Sequence, residues 1–309
     1  MIQLVLSTLF HVIIPISIPI IVGALLSRFR KLDTKPLLTL HLYFLSPAIL
    51  LDTLLTAEIT MSDVYQIGAF SLLNLLLLWA LAGLTGRLLG LSSPDRAGLT
   101  LIATFTNSVN YGLPLVLLTL GQMGLDKASV YVVGQMIIVN TIGVYFAARS
   151  EFSIRSAVKS VFKLPSIYAA VLAIALRGLE LQLPEGVVSG IALSAAAYSP
   201  IALVVLGAQM MTVAVSTEEK GAPSAFWSGM TIRLLLSPFI AILCLKLLHI
   251  EGIVFDVLLI LATMPVAVNA VVLSQKFNAS PRLVSRCILW TTLASFIVLP
   301  LLIVIIDSV

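Results

Sequence analysis

Apolar runs of about twenty residues, separated by short polar breaks, fill this chain from one end to the other. A helix crossing a bilayer core of roughly 30 Å needs about 20 apolar residues, so the runs dictate what can form. They place ten helices, at about 4–27, 37–56, 66–89, 97–120, 128–148, 165–181, 186–213, 225–248, 254–276 and 283–306. No stretch is left over for a soluble domain. Of the 309 residues, 60% are hydrophobic and only 10% charged, and the mean hydropathy is +1.12. A soluble domain carries about 25% charged residues. So few charges cannot cover a water-facing surface. The fold class is therefore an all-α polytopic membrane protein, with lipid as its solvent, and not a soluble enzyme.

Lys and Arg set the orientation. Arg28, Arg30, Lys31 and Lys35 follow the first run, Arg87 and Arg96 the third, Arg149, Arg155, Lys159 and Lys163 the fifth, Lys220 the seventh, and Lys276, Arg282 and Arg286 the ninth. The alternate loops hold only Lys127, Arg177 and Lys246, and Arg233 lies within the eighth run. That is 14 against 3, with one in a span, out of 18. The positive-inside rule puts the first set in the cytoplasm and both termini outside. The excess of cations is a topology signal, so no nucleic-acid partner is implied. The first run, Leu4 to Ser27, lacks a positive leader, is too long for a typical signal-peptide core and contains Pro15 and Pro19. It reads as the first helix of the mature protein, and the short chain without targeting extensions fits a bacterial inner membrane.

Proline spacing suggests an internal repeat. Pro47 and Pro200 are 153 residues apart, Pro114 and Pro265 are 151 apart, and Pro15 and Pro165 are 150 apart. The chain then divides into a first five-helix repeat, 1–150, a cytoplasmic linker, 151–164, and a second repeat, 165–309. Five is odd, so the second repeat enters the membrane inverted, as in many secondary transporters.

The most informative segments are the fourth and ninth runs. The fourth carries TNSVNYGLPL, Thr106 to Leu115, with Asn107, Asn110, Tyr111, Gly112 and Pro114. The ninth carries ATMPVAVNA, with Thr263, Pro265 and Asn269. Proline removes a backbone donor and clashes with the preceding turn. Backbone groups freed in lipid are expensive unless the protein satisfies them, so both breaks are expected to face an interior or a cavity. If both helices break near mid-membrane, their second halves present N-termini there. Such ends carry free N–H groups and partial positive charge, and can hold an anion without a full cation.

At these residues the chain resembles the auxin efflux carrier family. TNSVNYGLPLVLLTLG, VVGQMIIVN, RLLLSPF and MPVAVNAVVLSQKFN carry the likeness, in order along the whole chain. The family includes plant auxin exporters and bacterial permeases for malate, malonate and similar acids. The bacterial branch is the closer match, because the long cytoplasmic loop of many plant carriers is missing. The resemblance implies a fold like that of sodium/proton antiporters and bile-acid symporters. Scaffold helices at about 4–56 and 165–213 would face transport helices at about 66–148 and 225–306, with helices 4 and 9 crossing at their breaks. It implies a small organic-anion substrate at that crossover, an elevator-like or rocking motion, and a homodimer through the scaffold helices. A helix-4 asparagine would meet the substrate carboxylate, and both Asn107 and Asn110 are candidates. A sodium-coupled bile-acid-type symporter of the same fold is the alternative. A channel and a membrane-embedded enzyme are weaker readings.

The remaining polar residues are ambiguous from sequence. Asp52 is either a coupling carboxylate or a helix-end residue reaching water. Arg233 is expected to snorkel to the cytoplasmic interface, with a scaffold or coupling role kept open by its motif. His11 and His41 read as interhelical hydrogen-bond formers or proton relays. Gln209, Gln135, Asn140 and Asn74 line a cavity or join helices, and Gln209 is also a candidate for coupling. Tyr111 stacks on a substrate ring or fills space. Cys244 and Cys287 sit singly in apolar runs and read as inert buried thiols; no metal or cofactor motif occurs. Neither break contains Asp or Glu, which favours coupling to protons or membrane potential over sodium.

Overall fold

The computed structural model describes residues 10, 14–57, 59–143, 145–146, 162–215 and 223–306. Among them every regular element is helical, and the only β pairing is one isolated antiparallel bridge, Thr106 to Val266. The helices are α1 (Ile14–Arg30), α2 (Thr34–Thr56), α3 (Met61–Leu88), α4 (Ser93–Thr104), α5 (Leu113–Ile138), α6 (Pro165–Gly178), α7 (Glu185–Ala196), α8 (Tyr198–Val215), α9 (Pro223–Leu247), α10 (Gly252–Thr263), α11 (Ala270–Lys276) and α12 (Pro281–Ile306). Five stretches are long and apolar enough to cross a membrane: α2, α3, α9, the run Glu185–Met211 through α7 and α8, and Pro281–Ile303 of α12. Helices α6 and α10 are shorter apolar helices.

Boundaries follow local chemistry. Helix α3 starts at Met61, ahead of the expected 66, because Thr60 and Asp63 form a capping box there. The Asp63 carboxylate also accepts from Lys127 of α5 at 2.9 Å. Helix α5 turns sharply at Gly121, whose φ of 64° is open to glycine alone without strain, so 113–120 and 122–138 are two helical segments. The fourth expected helix, 97–120, is not continuous: α4 ends at Thr104 and helix resumes at Ser108.

Three internal prolines share one device. Pro47, Pro114 and Pro238 each lie two residues beyond a π-helical turn, at His41–Leu45, Ser108–Gly112 and Ile232–Leu236. A proline ring collides with the carbonyl four residues back and donates no hydrogen bond. Widening the preceding turn by one residue relieves that collision. The residue ahead of each proline accordingly bonds five residues back, Ser46 to His41, Leu113 to Ser108 and Ser237 to Ile232. These prolines therefore widen their helices locally and do not end them.

Packing sorts the helices into two groups. Helix α1 lies along α8, and α6 and α7 pack on α2. Helices α3, α4, α5, α9, α10, α11 and α12 pack among themselves. The α1–α8 contact is close enough to bring the two backbones together. A Cβ on Gly207 would land on the carbonyl oxygen of Ile20, and one on Gly23 would land on that of Val204. Small residues let membrane helices approach to backbone contact, where packing replaces the missing hydrophobic drive. Replacing Gly207 by Ala is expected to force the pair apart and cost about 1–3 kcal/mol. Gly134→Ala, where a Cβ meets nothing within 4 Å, is expected to be neutral or stabilising. Thermal unfolding of the detergent-purified variants checks the difference.

Candidate functional site

Two helices stop in the interior and their continuing chains cross. Helix α4 ends at Thr104 and α10 at Thr263, and each backbone then becomes extended, at Phe105 (φ −110°, ψ 116°) and Met264 (φ −54°, ψ 149°). The two extended pieces pair. The Asn107 N–H donates to the Pro265 carbonyl at 2.8 Å, and the Ala267 N–H donates to that of Phe105 at 2.9 Å. The Val266 N–H donates to Thr291 Oγ1 of α12 at 3.2 Å, and that hydroxyl donates to the Cys287 carbonyl at 2.6 Å. Groups that leave the helical ladder thus find partners at once.

The prolines do not occupy matching places in these breaks. Pro265 lies inside the second break, whereas Pro114 lies beyond the first, near the start of α5. Expecting Pro114 to make the break was an error. A π turn absorbs Pro114, and the interruption lies upstream, at residues 105–107.

Asparagines open both second halves. Asn107 precedes the turn Ser108–Gly112, and Asn269 precedes α11. Asparagine at this position usually caps its own helix, yet neither side chain does so. Both line a cavity of about 150 Å³, together with Asn110 and Gln135. The opposite wall comes from α2 and the start of α6, including Tyr43 and Ser166. Asn107 is buried and its Nδ2 amide has no partner among the described residues. The Asn110 Oδ1 meets His41 Nε2 at 3.0 Å. Lys163 is the one charged residue among the described lining groups.

Other expected residues are elsewhere. Tyr111 is fully buried, receives a hydrogen bond from Ser295 and tilts against Phe296, so it fills space. Gly112 admits Leu261 and Met264. Pro114 is buried, and the Thr263 hydroxyl bonds back to Leu259 in its own helix. Pro265 contributes its carbonyl to the crossing. Gln209 and Asn74 each hold a buried oxygen without a partner among the described residues, away from this cavity. Asp52 is half-buried in a different cavity, beside Arg177 and Glu180. His11 and the Asn140 side chain, with most of the 151–164 link, lie outside the described residues.

Arg233 does not snorkel. It is completely buried, because three acceptors await it inside: the carbonyls of Ala103 (2.9 Å) and Ala262, and Ser237 Oγ. Sequence reasoning also missed how the crossing attaches to its wall. Tyr198 of α8 donates to the Val109 carbonyl at 2.9 Å and packs against His41. In the sequence Lys163 reads only as a cytoplasmic loop cation, and nothing marks Ser166. Among the described residues, no group of three His, Cys, Asp or Glu side chains could hold a metal.

Comparison with known proteins places the chain among membrane transport proteins. The profile of a family described as membrane transport protein matches residues 149–303. An uncharacterized transporter of Methanothermobacter thermautotrophicus is 29% identical over 258 residues, covering 82% of this chain and 83% of the relative. An uncharacterized transporter of Methanocaldococcus jannaschii is 25% identical over 217 residues, 68% of each protein.

Thr291 supplies the partner for a buried amide in the second break, so Thr291→Val is expected to destabilise the fold by about 1–3 kcal/mol. Thr291→Ser keeps the hydroxyl and is expected to stay within about 1 kcal/mol of the parent. Melting temperatures of the three proteins in one detergent provide the check.

Proposed function

The chain belongs to the membrane transport protein family of the auxin efflux carriers, and on that premise we propose that it is a secondary transporter of small organic anions, carboxylates above all. One observation carries this reading. The cavity at the crossing is walled by the starts of two half-helices and three asparagines, and its described lining contains no carboxylate. The first amides of α11 are bonded to the carbonyls of Ala267, Val268 and Asn269, so the positive end of the helix that begins at Ser108 is what favours an anion here. The free Nδ2 of Asn107 is a donor with nothing yet to give to.

Size points the same way. A space of about 150 Å³ accommodates a ring of benzene's dimensions. That suits a short mono- or dicarboxylate better than the steroid of a bile-acid symporter. The half-buried Asp52 belongs to another cavity and takes no part in this reading.

Alternating access follows from the two helix groups. In this proposal ten spans form two inverted repeats, both termini lie outside, and the group holding the crossing slides against α1, α2, α6, α7 and α8. The cavity lies between the groups, and Lys163, assigned to the cytoplasm by the positive-inside rule, stands at its edge. This arrangement suits a state open to the inside. The bonds from His41 and Tyr198 to residues 109–110 are the polar ties such a motion would exchange. Of the two candidate asparagines, we take Asn107 as the direct donor, since its buried Nδ2 has no partner among the described residues.

The test is thermal stabilisation of purified protein by a panel of small carboxylates, because a ligand bound only by the folded state raises Tm. At least one acid is expected to give a saturable rise. Asn107→Ala is expected to bind that acid about ten-fold or more weakly, as for loss of a hydrogen bond to a charged group. No rise with any acid, in protein shown to be folded, overturns the carboxylate assignment.

A further inference from the structure

The crossing has four helix ends, and charge is divided unequally among them. Two are N-termini, at Ser108 and Ala270, and they border the cavity. Two are C-termini, the last turns of α4 and α10, and both are bound by one side chain. The Arg233 guanidinium donates to the Ala103 carbonyl at one end and to the Ala262 carbonyl at the other. Ser237 Oγ accepts from the same guanidinium and donates to Ala262. Arg233 is fully buried, and among the described residues no carboxylate pairs with it. Helix C-termini carry about −0.5 of a charge each, so two together sum to about −1, which one guanidinium balances.

Half-helix C-terminal carbonyls are where broken-helix transporters hold a coupling Na⁺. We infer that Arg233 is a tethered cation occupying that position, so that the crossing is assembled without Na⁺ and the transporter does not couple to it. Arg233 touches no substrate. It is a positioning residue, which joins the two half-helices and neutralises their negative ends, leaving the positive ends to the anion. The inference rests on reading this crossing as a transport site. The π turn at Ile232–Leu236 contains Arg233, and Ser237 closes that turn by bonding back to Ile232. The same local widening that accommodates Pro238 therefore sets both groups that meet Ala262.

The experiment measures Tm of the purified full chain in NaCl, KCl and choline chloride at equal ionic strength, without any carboxylate substrate. The wild type is expected to melt at one temperature in all three salts. Arg233→Ala is expected to lose more than about 5 °C. Low-millimolar ethylguanidinium should restore that loss saturably in the variant and leave the wild type unchanged. A merely space-filling arginine would show no such rescue. A saturable rise of wild-type Tm with Na⁺ alone overturns the inference, as does an Arg233→Ala protein that melts like the wild type. If Arg233→Ala does not fold, the wild-type salt series still decides, along with Arg233→Lys, expected to fold and to ignore Na⁺. Carboxylate binding by a Na⁺-stabilised wild type would sink this inference alone. A Na⁺-indifferent wild type that binds no acid would sink only the carboxylate reading.

Discussion

A backbone amide or carbonyl released from its helix inside a membrane must find a partner within the protein, and the two helix breaks are where this chain meets that demand. Each break releases several such groups at once. The extended pieces answer for one another through the Asn107–Pro265 and Ala267–Phe105 hydrogen bonds. Thr291 answers for Val266, and Arg233 for the ends of α4 and α10. At the start of one second half-helix, the buried Nδ2 of Asn107 has no partner among the described residues, and it lines the cavity.

Prolines shape this arrangement less by breaking helices than by widening them. The π turn at Ser108–Gly112 lies between the crossing and Pro114, and it contains Val109 and Asn110. Those two residues make the polar links to α8 and α2. The turn at His41–Leu45 supplies His41 to one of these links and Tyr43 to the cavity wall. The turn at Ile232–Leu236 supplies Arg233. Such single wide turns recur at functional positions in helices because they redirect carbonyls and side chains without ending the helix.

Much of this could be read from the residues. The apolar runs demanded helices in lipid, and the asparagines beside two interrupted runs pointed to the place where the cavity lies. Other readings failed for identifiable reasons. Pro114 carried the strongest breaking signal, yet the break lies upstream, because a proline next to a wide turn is tolerated. Arg233 was assigned to the interface on the general cost of burying a charge. Three acceptors from three separate segments offset part of that cost, while its Nε has no partner among the described residues, and only Ser237 of the three is near Arg233 in sequence. Tyr111 offered an aromatic ring beside the break, but helical geometry turned it toward Ser295 and Phe296.

By itself, the sequence determined the solvent, the helical class and the two segments that cannot remain regular helix. Those depend on composition, on run length and on residues a few positions apart. Only the tertiary structure decided which ends of the broken helices face the cavity, which asparagine is free to donate and which cation closes the other ends. Asn107 meets Pro265, Arg233 meets Ala103, and His41 meets Asn110 across separations of 69 to 158 residues. Polar groups in a membrane interior take their roles from the partners that reach them, and those partners are brought by packing, which no local pattern records.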